Sequence, residues 1–295
     1  MKRAKQKTPK DAQTNINIKV ARQVGYCYGV KRALDMAVSA EGLGRVPIFT
    51  LGPIIHNPQV VESLEARGID VARDLNDVTE GTILIRSHGV APGVITAAKK
   101  RGIHVMDATC PFVKKAQQKA AELTKDGYYV VILGEKNHPE VLGLVGHAGG
   151  NAIVIEHTKD LALIPKKVRK IGLVTQTTQS EEKLQDVAGR LAARASELKV
   201  YNTICNATKR RQADALALTR SADVMLVVGG KNSANTSRLA EMCRDTGTAT
   251  YHIETADDIN SAWFKNGDIV GVTTGASTSP DILQEVIEAL QMMSG

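Results

Sequence analysis

The chain has 295 residues, enough for two domains of ordinary size or three small ones. Its residues are 43% hydrophobic and 23% charged, as in a globular protein, and no apolar run approaches the roughly 20 residues of a membrane-spanning helix, so a membrane protein is excluded. The net charge is +7, but five bases and Asp11 within residues 1–14 supply +4 of it, which leaves the rest mildly basic and argues against nucleic-acid binding.

Residues 1–14 are predicted to be a solvated, disordered extension, since neither a zinc-finger spacing nor an aromatic and basic RNA-binding pattern accompanies their positive charge. They include no apolar segment of the kind that a secretory signal needs, so a cytoplasmic location is expected. The four cysteines should then be reduced thiols, and their wide spacing favours metal or redox chemistry over a disulfide framework.

A strand is predicted at residues 16–20, where apolar and polar residues alternate, and helical spacing of apolar residues begins just after Cys27. The same passage from strand to helix recurs at Cys110 and Cys205. Each of these cysteines is followed by a lysine four residues later and a second base at five, which indicates a threefold repeat. Since the N-terminal end of a helix is positive, we expect all three thiols to have lowered pKa values and to favour the thiolate that binds metal.

The repeat continues beyond these helices. In each copy an apolar strand ends in glycine and a polar residue follows four positions later, so that this polar residue lies 29, 28 and 28 positions after the cysteine. The three polar residues are His56, His138 and Ser233. After a short helix, another strand in each copy ends in polar residues, which include His88, Thr177 and Ser277.

Strands that alternate with helices predict an α/β fold with parallel sheets, in which ligands bind beyond the carboxyl ends of the strands. We therefore predict three similar small α/β domains, residues 15–109, 110–204 and 205–295, arranged as a pseudo-threefold cloverleaf around one central site. The three cysteines then converge on one site. The residues predicted to surround it are His56, His88, His138, Thr177, Ser233 and Ser277.

The cluster interpretation follows from the number of thiols. Three thiolates are one fewer than the four that usually hold a structural zinc or a [4Fe–4S] cluster, so a cluster on these cysteines would keep one iron without a protein ligand, as a Lewis acid and an electron donor. The surrounding imidazoles and hydroxyls suit an anionic, oxygen-rich ligand such as phosphate. Glu140 is the only carboxylate among these loop ends and is a candidate proton donor.

Other interpretations are open at this point. Cys243 shares a helical face with Leu239 and Met242 and is predicted to be core. The bases that follow each of the other cysteines are equally typical of the solvated faces of helices. The alternative functions are a zinc site of three cysteines and one histidine, structural or hydrolytic, a non-catalytic iron–sulfur sensor, and an RNA-binding module that depends on residues 1–14.

Nine motifs in order identify the chain more closely. They are Gly-Tyr-Cys27-Tyr-Gly-Val-Lys-Arg-Ala, Ile-His56-Asn-Pro, Ser-His88-Gly-Val, Asp-Ala-Thr-Cys110-Pro, His138-Pro-Glu140, Thr-Gln-Thr177-Thr, Cys205-Asn-Ala-Thr, Lys-Asn-Ser233-Ala-Asn235 and Gly-Ala-Ser277. Together they resemble the 4-hydroxy-3-methylbut-2-enyl diphosphate reductase family, and the resemblance covers residues 16–295.

The resemblance implies an iron–sulfur oxidoreductase at the last step of the non-mevalonate isoprenoid pathway. Its reaction is the reductive dehydroxylation of 4-hydroxy-3-methylbut-2-enyl diphosphate to isopentenyl diphosphate and dimethylallyl diphosphate. Two electrons arrive singly through one [4Fe–4S] cluster whose open iron binds the substrate hydroxyl. The implied electron donor is a ferredoxin or flavodoxin, and neither nucleic acid nor a membrane takes part.

The resemblance also assigns roles to residues. It implies that Cys27, Cys110 and Cys205 bind the cluster, that Glu140 donates the proton and that Thr177 positions the substrate alcohol. The residues implied to hold the diphosphate are His56, His88, His138, Ser233, Asn235 and Ser277.

Two departures from the family pattern fall in the last unit. Ala234 stands where many relatives have a serine, so one charge-assisted hydrogen bond to phosphate, worth roughly 1.5 to 3 kcal/mol, is expected to be missing or replaced by backbone. The run from Ser277 to Pro280 is one residue longer than usual. We expect Ser277 rather than Ser279 to face the phosphate, because it directly follows the Gly-Ala turn.

Overall fold

The computed structural model describes residues 15–294, and the predicted extension at residues 1–14 lies outside this range. The described chain begins with strand β1 (Asn17–Val20). The first repeat then contributes α1 (Tyr28–Glu41), β2 (Ile48–Leu51), α2 (Pro58–Glu65), β3 (Ile69–Ala72), β4 (Thr82–Ile85), α3 (Pro92–Lys100) and β5 (His104–Asp107).

The second repeat has the same order of elements, and the third has this order without the last strand. The second contributes α4 (Pro111–Lys125), β6 (Tyr129–Leu133), α5 (Pro139–His147), β7 (Ile153–Ile155), β8 (Lys170–Thr175), α6 (Glu181–Ala192) and β9 (Glu197–Tyr201). The third contributes α7 (Asn206–Thr219), β10 (Val224–Val228), α8 (Ala234–Asp245), β11 (Ala249–Ile253), β12 (Ile269–Thr274) and α9 (Pro280–Ser294).

These strands form three four-stranded sheets, which confirms the predicted α/β class with three similar units. The strand orders are β3-β2-β4-β5, β7-β6-β8-β9 and β1-β12-β10-β11, and neighbouring strands are parallel throughout. The edge strands β3, β7 and β11 were not predicted from the sequence. Each has three to five residues and is only partly buried.

One strand departs from the predicted division of the chain. The boundaries place β1 in the first unit, but β1 pairs with β12 in the sheet of the third unit, with Asn17 opposite Ile269 and Val20 opposite Val272. The reason is that the three units follow one rule in a closed ring. The strand before each cysteine completes the sheet of the preceding unit, as β5 does before Cys110 and β9 does before Cys205. The strand before Cys27 completes the third sheet in the same way and covers the otherwise open edge of β12.

Each sheet is buried on both faces, as parallel sheets usually are. In the third sheet, all five residues of β10 are buried, and they alternate between a cluster under α9 and a cluster under α7 and α8. The other two sheets divide their cores in the same way. Within residues 15–294, no helix is both long and apolar enough to span a bilayer.

A repeated turn follows β3, β7 and β11 and supports the threefold relation independently. A 3₁₀ helix begins there with a reciprocal cap in which an aspartate accepts hydrogen bonds from two backbone N–H groups. The aspartates are Asp77, Asp160 and Asp258. The same local chemistry therefore returns the chain to the sheet in all three units.

The packing of α4 on the second sheet generates a stability prediction. A Cβ atom on Gly172 in β8 would lie 2.6 Å from a methyl carbon of Leu123, which is fully buried in α4. Gly172→Ala should therefore lower the free energy of unfolding by about 1 to 3 kcal/mol through overpacking. Gly189→Ala is the matched control. Gly189 is exposed in α6, and a Cβ atom added there would contact no other part of the protein within 4 Å, so alanine should raise the free energy of unfolding by about 0.5 to 1 kcal/mol. Urea unfolding measures the free energy of unfolding of both variants, and equal changes would contradict the close contact between Gly172 and Leu123.

Candidate functional site

The loops at the carboxyl ends of the strands from all three units line one cavity. This cavity brings together all eleven residues that the sequence nominated. They are Cys27, Cys110, Cys205, His56, His88, His138, Glu140, Thr177, Ser233, Asn235 and Ser277. Their meeting follows from strand polarity, because every one of them lies in or directly after a loop that leaves a parallel sheet at its carboxyl edge.

The three cysteines occupy the same place in each unit, directly before α1, α4 and α7. All are free thiols. Gly29 lies between two of them, because a Cβ atom there would be 2.6 Å from the Cys110 sulfur and 4.0 Å from the Cys27 sulfur. Any side chain at residue 29 would displace the Cys110 sulfur, so glycine is required for these thiols to face each other.

Cys110 and Cys205 do not have the lowered pKa values expected from their helix ends. Burial raises the pKa of Cys110 to about 11, although backbone N–H groups of the next turn act against it. Burial also raises the pKa of Cys205, against the hydrogen bonds of Thr208. The expectation was wrong in direction for these two because loss of water outweighs the field of the helix end. The charge of Cys27 contributes to both rises, so the three sulfurs lie near one another.

Three imidazoles form a second cluster in the cavity. The rings of His56, His88 and His138 have centroids 4.4 to 5.4 Å apart. The backbone N–H of Glu140 donates to Nδ1 of His138 at 3.1 Å, so His138 carries its own proton on Nε2. Nε2 of His56 and Nδ1 of His88 are buried without a partner in residues 15–294. The cluster is therefore built to give hydrogen bonds to a ligand that enters the cavity.

These imidazoles are neutral near pH 7. Burial, followed by the charges of His56 and Arg86, lowers the pKa of His138 to about 3. Burial also lowers the pKa of His56, and that of His88 falls well below its ordinary range, with Arg86 contributing in both cases. Arg86 lies two residues before His88, at the end of β4, and its charge reaches all three rings.

Glu140 is the buried carboxyl of the cavity, with only 2% of its surface exposed. Thr177 engages both of its oxygens: the Thr177 backbone N–H donates to Oε1 at 2.6 Å, and the Thr177 hydroxyl donates to Oε2 at 2.9 Å. Burial raises the pKa of Glu140 to about 7, against these two hydrogen bonds. A large fraction of this carboxyl therefore carries a proton at neutral pH and can donate it.

The third unit contributes the start of α8 to the cavity. Ser233 caps this helix by accepting a hydrogen bond from the Thr236 N–H at 3.4 Å. Ala234 lines the cavity with backbone and a methyl group alone. Nδ2 of Asn235 is buried and has no partner in the described part of the chain. The helix end and this amide are thus the donors available at the position where a serine is missing.

Ser277 and Ser279 have different surroundings. Ser277 lies in the cavity lining, and its hydroxyl donates to the carbonyl oxygen of His56 at 3.1 Å. Ser279 lies outside the lining, where its hydroxyl accepts a hydrogen bond from the Ile282 N–H at the start of α9. Only Ser277 is therefore placed to meet a ligand in the cavity.

The bases that follow the cysteines mostly lie on the outer faces of their helices. Lys114 pairs with Asp107 at 2.6 Å and Lys209 pairs with Glu181. Arg211 is different, because it is buried and donates to the carbonyl oxygens of Gln23, Gly25 and Thr274. It fastens the loop that carries Cys27 to the end of β12.

Sequence reasoning missed Gly29, Arg86 and Arg211. The spacing of Arg211, three residues from buried Thr208 and four from buried Ala215, places it on the inner face of α7 and was an available signal. Arg86 had no comparable signal, because a base between a strand and a Ser-His-Gly turn is typical of a solvated loop.

The spacing of possible ligands distinguishes the two clusters. Within residues 15–294, only the three histidines bring three metal-ligating atoms within 4.8 Å of one another. The three sulfurs are therefore spread more widely than the ligands of a single tetrahedral ion, whose bonds to sulfur are about 2.3 Å long. Three free thiols at that wider spacing fit a larger group, and thiolates are the usual ligands of iron–sulfur clusters.

Comparison with known proteins gives a consistent set of similarities. The model of the LytB protein family matches residues 18–291. A 4-hydroxy-3-methylbut-2-enyl diphosphate reductase from Geobacter sulfurreducens is 48% identical over 277 residues, which are 94% of this chain and 97% of the relative. The reductase of the same name from Geobacter sp. strain M21 is 50% identical over 272 residues, 92% of this chain and 95% of the relative.

Two solved structures resemble the fold. One is (E)-4-hydroxy-3-methyl-but-2-enyl diphosphate reductase, described as the terminal enzyme of the non-mevalonate pathway, with a TM-score of 0.68, 42% identity and coverage of 94% of this chain and 99% of that one. The other is the E-1-hydroxy-2-methyl-but-2-enyl-4-diphosphate reductase of Plasmodium falciparum, with a TM-score of 0.87, 27% identity and coverage of 96% and 89%.

The burial of Glu140 predicts a pH-dependent stability. Its pKa rises from an ordinary 4.5 to about 7 on folding, so between these values the folded protein binds more protons than the unfolded one and loses stability as pH rises. Glu140→Gln removes the ionisable group and therefore this loss of stability. Relative to the wild type, the free energy of unfolding of the variant should increase by about 3 kcal/mol between pH 4.5 and 7 and stay constant above pH 7. Denaturant unfolding at a series of pH values measures the difference, and a difference that does not vary with pH would contradict the assignment.

Proposed function

We infer the activity from one premise: this chain belongs to the LytB protein family, and its relatives are 4-hydroxy-3-methylbut-2-enyl diphosphate reductases. It is an iron–sulfur oxidoreductase of the non-mevalonate isoprenoid pathway. The reaction removes the hydroxyl of 4-hydroxy-3-methylbut-2-enyl diphosphate and gives isopentenyl or dimethylallyl diphosphate. Two electrons and two protons enter, one C–O bond is replaced by a C–H bond, and water leaves.

The observation that carries the assignment of residues is the composition of one cavity. Three free thiols, three neutral imidazoles and a carboxyl that holds a proton near pH 7 all line it. A reductive dehydroxylation of a diphosphate needs an electron source, an anion site and a proton donor, and the cavity has candidates for each.

We propose that Cys27, Cys110 and Cys205 hold a single [4Fe–4S] cluster. When bound, such a cluster supplies electrons one at a time and one Lewis-acidic iron that lacks a protein ligand. The spacing of the sulfurs favours this group over the zinc alternative, since in residues 15–294 no set of three ligands that includes a cysteine lies within 4.8 Å. Cys243 is no fourth ligand, because it is buried in the core of the third unit beside Leu239.

The histidine cluster is proposed to hold the diphosphate. His56, His88 and His138 could equally ligate a metal ion by their spacing, but the partly buried positive charge of Arg86 beside them opposes a cation and favours an anion. His138 presents an Nε2–H donor, and the remaining donors are at the third unit. These are Ser233, Asn235 and Ser277.

Glu140 is the proposed proton donor. Its raised pKa keeps a proton available, and its two hydrogen bonds from Thr177 fix both carboxyl oxygens in the cavity. Thr177 lines the cavity as well, so its hydroxyl is proposed to orient the substrate alcohol and to exchange protons with Glu140. The pair thereby holds the proton at one face of the substrate.

The electron donor is proposed to be a small acidic one-electron carrier, a ferredoxin or a flavodoxin. The exposed side chains next to the cysteines suit such a partner: Tyr28 is 65% exposed beside Cys27, and the exposed base Lys31 lies in the same turn of α1. Complementary charge speeds the encounter of such proteins. We also propose a cytoplasmic location, where the thiols would stay reduced.

Replacement of one cluster cysteine should remove the metal. Cys110→Ser is expected to lose most of the bound iron and all turnover, because two thiolates remain and serine is a poor ligand for iron in clusters. Cys243→Ser is the matched control and should keep its iron, although the buried hydroxyl will lower its stability. Iron and sulfide content of both proteins after anaerobic purification measures this. Retention of a full iron content by Cys110→Ser would contradict the ligand assignment.

Replacement of the proposed proton donor should separate chemistry from cluster binding. Glu140→Gln is expected to retain its iron and to lower kcat by about 100- to 10,000-fold, because the amide has no proton to transfer at neutral pH. Turnover under a chemical reductant, measured beside the iron content, checks this. A variant that keeps its iron and reduces substrate at the rate of the wild type would rule the role out.

A further inference from the structure

The lining of the cavity poses a problem of charge. A diphosphate carries several negative charges, yet no lysine or arginine occurs among the described residues that line the cavity. The imidazoles are neutral, the hydroxyls and the amide of Asn235 add no charge, and helix ends contribute about half an elementary charge each. A cation behind the lining would therefore add a full positive charge to the partial charges of the helix ends.

Arg86 occupies such a place. It follows β4 directly and precedes Ser87 and His88, both of which line the cavity. Its guanidinium lies against Gly52 at the end of the neighbouring strand, where a Cβ atom would be 2.4 Å from Nη1 and 3.1 Å from Cζ. Gly52 also has a φ of +68°, a conformation that favours glycine, and the absence of a side chain leaves room for the guanidinium.

The charge of Arg86 is not matched by any carboxylate in the described part of the chain. Its Nε is buried without a hydrogen-bond partner, and burial lowers the pKa of the guanidinium with no acidic neighbour to raise it again. A partly buried cation that has no carboxylate partner favours the binding of an anion near it. The same charge acts on all three imidazoles, so it is felt throughout the cluster.

We propose that Arg86 supplies the positive charge of the diphosphate subsite, as a positioning residue that acts from behind the three imidazoles. It attracts the diphosphate, and the neutral imidazoles then fix its orientation with hydrogen bonds. The inference rests on the proposed function, since it assigns a further residue to the same substrate.

The test compares Arg86→Met with Arg86→Lys. Both replace the guanidinium with a shorter, unforked group, but only lysine keeps the charge. Arg86→Met should raise KM for 4-hydroxy-3-methylbut-2-enyl diphosphate by about 10- to 100-fold with a much smaller change in kcat, and Arg86→Lys should recover most of the loss. The Kd of inorganic pyrophosphate, measured by calorimetry on the iron-loaded protein, should weaken by a similar factor. Arg190→Met, which removes an exposed positive charge on α6, is the control and should change neither value.

The dependence of KM on ionic strength and the comparison of the two variants distinguish an effect of the Arg86 charge from an effect of its packing. The wild-type KM should rise with ionic strength more steeply than that of Arg86→Met, because screening acts on the charge that the variant lacks. Equal loss in the lysine and methionine variants would overturn the proposal in favour of packing against Gly52. An unchanged KM and an unchanged pyrophosphate Kd in Arg86→Met would overturn it as well. Failure of the proposed function looks different, since the wild type itself would then not reduce the substrate.

Discussion

The constraint on which the whole structure depends is the common direction of its strands. Because each sheet is parallel throughout, loops at the carboxyl edges of all three sheets line the cavity, and the helices that follow these loops begin beside it. Three of these helices begin after cysteines, and three begin after His56–Asn57, His138 and Ser233. Six positive helix ends thus surround one site, which suits thiolates and a diphosphate alike. The pairing of β1 with β12 closes this arrangement.

Burial sets the chemistry within that frame. It raises the pKa values of Cys110 and Glu140 and lowers that of His138, so at pH 7 Cys110 and His138 are neutral and a large fraction of Glu140 is protonated. In our proposal, charge therefore enters the cavity mainly with its ligands, when the thiols release protons on binding the metal and the diphosphate binds. The same neutral state lets Glu140 keep a proton where the substrate needs one. Substrate charge is then balanced from the helix ends and, in our proposal, from Arg86.

Features of the fold and the site could be predicted from the sequence where they depend on residues close together in the chain, and not where they depend on distant ones. The cysteine repeat and the constant step to His56, His138 and Ser233 are local patterns, and with the polar ends of the later strands they predicted the fold class and most residues of the cavity. Asn235 was named only through the family resemblance. The partner of β1 lies about 250 residues away, and no local pattern specifies it. The pKa of Cys110 depends on water excluded by distant segments, so a rule based on the helix end alone gave the wrong direction. Arg86 was missed because its burial against Gly52 is a tertiary contact.

The central claim is that three converging thiols hold an iron–sulfur cluster at which an allylic diphosphate is reduced. The most direct measurement is the iron and sulfide content of anaerobically purified protein, taken together with turnover of 4-hydroxy-3-methylbut-2-enyl diphosphate under a chemical reductant. The account predicts about four iron and four sulfide per chain, and formation of isopentenyl and dimethylallyl diphosphate. A colourless protein that holds zinc without iron, or a fully loaded protein that leaves the substrate unchanged, would contradict it.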